Sequence, residues 1–145
     1  MSRVMLIAAD RELPLRDHQE MRTSTVMVEG KAHTISCPRG FMISEHSYYR
    51  SCVDELGHSM RPYQYELDLE VCQDDLSALK AYLTEHFAPG EEVELWNLWV
   101  GIDQSGYLPH YRGSLADFDM ETLEQFDCPP IHNGAPGQCR MTITI

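Results

Sequence analysis

Seven histidines and five cysteines give this chain enough nitrogen and sulfur atoms to bind a transition metal. Four of these residues fall within a stretch of 22 residues. Structural zinc sites usually contain ligand pairs two to four residues apart, because one turn can then deliver two ligands. The spacing here is wider, so the sequence favours dispersed side chains over a metal site. The candidate ligands are Cys37, His46, Cys52 and His58.

A second group of possible ligands lies near the end of the chain, where Cys128, His132 and Cys139 fall within twelve residues. Cys128 and His132 have suitable spacing, but two prolines between them restrict the turn that would bring them together. The sequence therefore predicts neither a bound metal nor a cofactor.

Catalysis by a cysteine or histidine is the alternative to a binding function. The candidate catalytic residues are His46, Cys52 and His110, the last with Asp103 as a carboxylate partner. The chain lacks the Gly-x-Ser-x-Gly elbow, the phosphate-binding loop and the Gly-x-Gly-x-x-Gly fingerprint. These absences favour a protein that is not an enzyme and leave a small metal-dependent or Cys/His hydrolase as the rival.

Aromatic residues flank two of these histidines and offer a pocket for a small ligand. An aromatic cleft with a few polar groups is the general form of a ligand site. Tyrosine and histidine are also ordinary half-buried residues with one polar edge, so both interpretations remain open. The tyrosines concerned are Tyr48, Tyr49, Tyr107 and Tyr111.

The elements that would position these residues are clearest between residues 63 and 101. The spacing of Leu76, Leu79 and Leu83 predicts a helix over about 72–88, with acidic residues in its first turn. The segments on either side alternate or run apolar like strands. The two strands either form a strand–crossover–strand unit or pair antiparallel with a neighbour between them.

The second of these strands, Val93–Val100, is apolar on both faces from Trp96 onward, which indicates an interior strand. Trp96 and Trp99 point to opposite faces, and we expect both to be core residues. Further strands are predicted at 4–9, 41–44, 107–112 and 140–145, together with a hairpin over 25–35 that turns at Gly30.

A Ser-x-x-Asp tetrad at Ser114–Asp117 has the form of a capping box and predicts a short helix near 114–119. The element order places the chain in the α+β class, as a single mixed β-sheet covered by one main helix (about 72–88) plus this short helix. A length of 145 residues predicts one domain over 1–145.

The net charge of −12 is unevenly distributed. Residues 1–72 carry eight Lys and Arg against eleven Asp and Glu, whereas residues 73–145 carry three against twelve. A surface of this sign repels phosphate backbones and anionic lipids, so we expect no nucleic-acid or membrane partner. An acidic mimic that competes with nucleic acid for a basic protein is a further alternative.

The cysteines also bear on the compartment. Five is an odd number, and the cysteines show no paired spacing, which favours a reducing, cytoplasmic setting. The apolar run Val4–Ala9 has six residues, too few for the core of a signal peptide or for a membrane span. It predicts a first strand instead.

Three segments resemble a family of small uncharacterised bacterial proteins. The opening Ile-Ala-Ala-Asp-Arg-Glu-Leu-Pro-Leu from Ile7 is similar to an Ile-Ala-Ser-Asp-x-Pro-Leu-Pro start, and the segments from Glu91 and Ser114 also resemble parts of that family. The region from Ser44 to Cys52 departs from it, because most of the family's glycines and one cysteine are missing. The resemblance implies a cytosolic bacterial domain and no known activity.

These observations together predict a non-enzymatic cytosolic domain that binds a protein partner or a small ligand, as a homodimer. The motivating features are the missing catalytic motifs, a hydrophobic content of 43% and two tryptophans on one strand.

Overall fold

The fold is a mixed α+β arrangement, seen in a computed structural model that describes residues 2–18, 20–46, 54, 60–100 and 107–145. Its elements are β1 (Ser2–Ala9), β2 (Glu20–Val28), β3 (Lys31–Arg39), β4 (Met42–Glu45), β5 (Tyr63–Asp68), α1 (Gln73–His86), β6 (Glu92–Val100), β7 (His110–Ser114), α2 (Met120–Asp127) and β8 (Cys139–Thr144). Six described strands form one sheet in the order β4–β5–β1–β6–β8–β7, in which the neighbouring strands β7 and β8 are parallel and each other neighbouring pair is antiparallel. The predicted α+β class and mixed sheet are therefore confirmed.

Strands β5 and β6 flank β1 and are connected through α1. Ile7 of β1 lies opposite Tyr65 on one side and opposite Leu95 on the other, and both pairings are antiparallel. Two strands antiparallel to the same neighbour are parallel to each other. The structure therefore has a crossover between parallel strands, with β1 as the neighbour between them.

Helix α1 forms where the apolar spacing predicts it. Asp75 is buried in the first turn, and its Oδ2 accepts the backbone N–H of Glu70 at 2.9 Å, so it fixes the loop that enters the helix. Phe87 caps the end of the helix, and its N–H donates to the carbonyl of Leu83 at 3.0 Å. The leucines of the predicted stripe are all buried: Leu76, Leu79 and Leu83.

The helix predicted near 114–119 is wrong. Ser114 and Asp117 make the expected reciprocal hydrogen bonds, from the Asp117 N–H to Ser114 Oγ at 3.2 Å and from Ser114 Oγ to Asp117 Oδ2 at 2.9 Å. These bonds close a turn over 115–117 instead of starting a helix. The buried ring of Phe118 holds the turn against the core.

Helix α2 replaces the predicted one and starts at Met120, after its own cap. The Asp119 side chain accepts the backbone N–H of Thr122 at 2.9 Å, which satisfies an amide that has no partner within the helix. α2 is eight residues long and α1 is fourteen. Both helices supply buried side chains to the same core.

The hairpin is a separate two-stranded sheet, so the prediction of a single sheet is also wrong. Strands β2 and β3 pair over nine rows, from Glu20 opposite Arg39 to Val28 opposite Lys31. Positive φ angles at Glu29 (50°) and Gly30 (73°) are those of the two-residue turn that suits a twisted hairpin. We call residues 20–39 the arm.

The main sheet has a core on each face. The larger core lies between the sheet and the two helices, and it includes Val93 and Leu95 of β6. The smaller core lies on the opposite face and includes Leu6 and Trp96. Strand β6 is therefore covered on both faces, as predicted. Trp96 is fully buried, whereas Trp99 is half-buried.

Among the residues that the structure describes, no helix is both long enough and apolar enough to cross a membrane.

Candidate functional site

Polar side chains cluster on the sheet face opposite α1 and α2. The register places Trp96 opposite Arg140 and Arg140 opposite His110, and in the adjacent row it places Glu94 opposite Thr142. Alternate residues of a strand point to the same face, so these five side chains share one side of the sheet. The Arg140 guanidinium carbon lies 5.0 Å from the centre of the Trp96 ring. We call these five residues the sheet-face cluster.

Glu94 is the buried acid of this cluster, with 5% of its surface exposed. Its Oε1 accepts the backbone N–H of Arg61 at 2.9 Å, and its Oε2 lies 3.9 Å from Nη1 of Arg140. Burial raises the pKa of Glu94, and the Arg61 hydrogen bond and the two guanidinium groups offset only part of that rise. Arg61 also pairs with Asp10 and Glu92, so the cation beside Glu94 is held in place.

His110 has a hydrogen-bond partner at each ring nitrogen. Nη2 of Arg140 lies 2.7 Å from Nδ1, and the hydroxyl of Thr142 lies 2.7 Å from Nε2. Arginine can only donate, so Nδ1 accepts and Nε2 carries the proton that is donated to Thr142. Burial lowers the pKa of His110, and the charges of Arg140 and Arg112 lower it further.

This geometry is the reverse of what an activated nucleophile needs. A catalytic histidine accepts the proton of the hydroxyl beside it, whereas His110 donates to Thr142. Thr142 is also buried, with 3% exposed, so a substrate cannot reach its hydroxyl in this conformation. In this conformation the members of the cluster hydrogen-bond and pair with one another.

A cleft of about 290 Å³ lies between β7, the 115–117 turn and α2. Gly113 forms part of its wall, and a Cβ atom at this position would meet nothing within 4 Å. The apolar floor and polar rim have the general character of a small-molecule site. The floor contains Phe118, Met141 and Ile143, and the rim contains Ser114, Asp117, Thr122 and Gln125.

The arm offers a different kind of surface. Every residue of its two strands is exposed except Arg39, which is half-buried. Among the described strands, β2 and β3 pair only with each other. The exposed apolar residues include Met21 (64%), Met27 (65%) and Ile35 (47%). Met21 and Met27 lie near the two ends of one face of the ribbon, and Ile35 lies on the other face. Exposed apolar surface of this kind marks sites of association.

No protein-family model, curated protein or solved structure matches this chain. The resemblance to a bacterial family therefore stays a prediction. The sheet-face cluster, the cleft and the arm are the features that bear on function.

The first predicted ligand group is only partly within the described residues. Cys37 is an exposed residue of the arm, opposite Arg22, and His46 is buried just after β4. Cys52 and His58 lie outside the described residues, as do Tyr48, Tyr49 and Asp103.

The second predicted ligand group is spread over different environments. Cys139 is fully buried and its thiol lies 3.5 Å from the carbonyl of Phe126, and burial raises its pKa to about 12. Cys128 and His132 are exposed, and the His132 ring stacks on Tyr107 with 3.9 Å between ring centres.

Among the described residues, the structure brings together one group of possible metal ligands that the sequence analysis did not identify. Potential ligand atoms of Glu70, Cys72 and Asp75 lie within 4.8 Å of one another at the start of α1. Asp75 already accepts the Glu70 N–H, and Glu70 pairs with Arg39, so both carboxylates have structural partners. Their Glu-x-Cys-x-x-Asp spacing was the available sequence signal.

Sequence reasoning also missed the full length of the arm. The sequence predicts a hairpin over 25–35, whereas the two strands begin at Glu20 and end at Arg39. The alternation of Met21, Thr23, Thr25 and Met27 was the signal that extends β2.

Proposed function

We propose that this protein is a non-enzymatic binding domain that contacts a protein partner through the arm. The observation that carries the proposal is a nine-row β-ribbon whose strands are exposed almost throughout and pair with no other described strand. An isolated two-stranded hairpin is only marginally stable in water. A partner that covers the ribbon would stabilise it and remove its apolar residues from solvent.

The state of the sheet-face cluster supports a binding role over the hydrolase alternative. His110 is oriented as a donor to Thr142, and the Glu94 carboxylate lies between two guanidinium groups. Each of these groups would have to give up an existing contact before it could act on a substrate.

Charge favours a protein partner over nucleic acid. The arm carries three Lys and Arg against two Asp and Glu, a net charge of +1. Since the whole chain carries −12, the other 125 residues carry a net charge of −13. Five of the nine large apolar residues that are exposed among the described residues lie on the arm, the part of the chain that is closest to neutral, while the remainder repels polyanions. The cytoplasmic setting and bacterial origin form part of this proposal, and the four described cysteines are free thiols.

Site-specific photocrosslinking in the cells that produce the protein tests the proposal. A photoreactive residue replaces Thr25 on the arm or, as the matched control, Thr84 on the exposed side of α1. We expect a defined protein adduct from position 25 and none from position 84. Equal adducts from both positions, or none from either, would contradict an arm-mediated function.

The cleft beside β7 supports a second candidate function, the binding of a small molecule. Its apolar floor and polar rim suit an apolar compound with a hydrogen-bonding edge. Gly113→Val adds a side chain to the wall of the cleft, at a position where a Cβ atom meets no other atom within 4 Å. Ligand-observed NMR with a fragment collection should give hits on the wild type that disappear in this variant. Hits that persist would place binding elsewhere.

A further inference from the structure

We infer that the partner of the arm is a second copy of this chain, and that two arms pack face to face about a two-fold axis with their tips pointing in opposite directions. This inference rests on the proposed function and adds the identity of the partner and the contact surface. The composition of one face of the arm and the symmetry of that face carry the inference, whereas the charge of the rest of the chain sets the orientation of the two copies and the area sets the strength of the contact.

One face of the arm has no charged residue. The register brings Met21 opposite Pro38 at one end and Met27 opposite Ala32 at the other, with Ser and Thr pairs between them. The opposite face carries all the Lys, Arg and His side chains of the two strands. We call the first set the uncharged face: Met21, Thr23, Thr25, Met27, Ala32, Thr34, Ser36 and Pro38.

The charge of the chain explains why the tips should point in opposite directions. Each copy carries −12, and outside the arm the balance is −13. Nine strand residues span about 30 Å. Opposed arms place the two acidic bodies at opposite ends of the ribbon pair, separated by several times the Debye length of about 8 Å at physiological salt. Arms that point the same way would bring the two bodies together.

The uncharged face is suited to contact with its own copy. A two-fold axis through its middle passes between the row of Thr23 and Ser36 and the row of Thr25 and Thr34. Rotation about that axis lays Met27 of one copy over Met21 of the other, at both ends of the contact. An isologous interface of this kind needs one self-complementary patch, and flexible methionines fill the gaps in such contacts.

The area predicts a weak dimer. A ribbon about 30 Å long and about 10 Å wide covers on the order of 300 Å² on each partner. A stable interface buries about 800 Å² on each partner. We therefore expect an equilibrium between monomer and dimer at micromolar or higher concentrations.

Sedimentation velocity on the full chain over a concentration series tests the inference. Thr25→Arg places two like charges near the two-fold axis, whereas the matched control Ser24→Arg places the same charge on the opposite face. We expect Thr25→Arg to raise the dissociation constant by about tenfold or more, since like charges that face each other across an interface oppose association. Ser24→Arg should change it less than about threefold.

The dependence of the dissociation constant on salt provides an independent test, because association through charged groups would respond to salt in the opposite direction. An uncharged contact between two acidic chains should tighten when salt screens their repulsion. Dissociation constants that rise with salt would indicate docking on the acidic body and would overturn the inference. So would a dimer that survives Thr25→Arg, which would point to pairing along the strand edges.

The outcomes also separate this inference from the proposed function. A wild type that stays monomeric at high concentration, with a position-25 adduct to another protein, overturns only the self-association. A monomer with no adduct from position 25 overturns both.

Discussion

Arg140 fixes the tautomer of His110 by donating to Nδ1 over 2.7 Å, which leaves Nε2 to donate to the Thr142 hydroxyl. The two residues lie opposite each other in the parallel β7–β8 pair. Burial and the nearby guanidinium groups hold the pKa of His110 below its ordinary value of 6.5. The imidazole is therefore neutral in the folded protein over a wider pH range than in the unfolded chain.

The first prediction concerns acid sensitivity. The depressed pKa of His110 contributes stability that is fully present above pH 6.5 and is lost as pH falls through the lower folded-state pKa. His110→Gln removes this titration. Thermal melts between about pH 7.5 and pH 5 should show a larger loss of melting temperature in the wild type. If the melting temperatures of the two proteins fall in parallel with pH, the lowered pKa of His110 is contradicted.

The second prediction concerns Glu94 and has the opposite sign. Burial raises its pKa above 4.5, so its contribution to stability is present below pH 4.5 and is lost as pH rises through the folded-state pKa. Glu94→Gln stays neutral and keeps an acceptor for the Arg61 N–H. Between about pH 4 and pH 7, the free energy of unfolding measured by chemical denaturation should rise for the variant relative to the wild type. A difference in unfolding free energy between the two proteins that stays constant over this pH range would contradict the titration of Glu94.

The third prediction tests the larger core. Leu79 is a fully buried residue of α1, and Leu79→Ala should lower the free energy of unfolding by about 2–5 kcal/mol, because it removes buried methyl groups and leaves a cavity. Leu15 is 56% exposed, and Leu15→Ala should change the free energy of unfolding by no more than about 0.5 kcal/mol. Urea denaturation measures both, and equal losses would contradict the burial difference.

The fourth prediction tests the cap of α2. Asp119→Ala removes the acceptor for the Thr122 N–H, whereas Asp119→Asn retains a side-chain oxygen in the same place. We expect a lower melting temperature for the alanine variant and near wild-type behaviour for asparagine. Equal effects would show that the charge of Asp119, not its hydrogen bond, stabilises the helix start.

The fifth prediction is that the main sheet folds without the arm. Replacing residues 21–38 by Asn-Gly joins Glu20 to Arg39, which already lie opposite each other. The arm contributes no residue to either hydrophobic core, so the near-ultraviolet circular dichroism and the cooperative melt should persist. A loss of cooperativity would show that the arm stabilises the body.

Patterns within single segments of the sequence were sufficient to predict helix α1 and strand β6. The leucine spacing of α1 and the apolar run of β6 predicted both elements, because side-chain periodicity selects helix or strand within one segment. Gly30 marked the hairpin turn for the same reason. The capping pattern at Ser114 failed, because the same hydrogen bonds close a turn and only Asp119, two residues after Asp117, starts the helix.

Tertiary structure alone decided how the elements meet. His110 was a candidate from the sequence, but its partners, Arg140 and Thr142, lie about 30 residues away and are brought to it by the β7–β8 ladder. The insertion of β1 between β5 and β6, and the separation of the arm from the main sheet, also depend on pairing between distant segments. Hydrogen-bond ladders between strands select partners by geometry across the whole chain, and the periodicity of a single segment does not encode that selection.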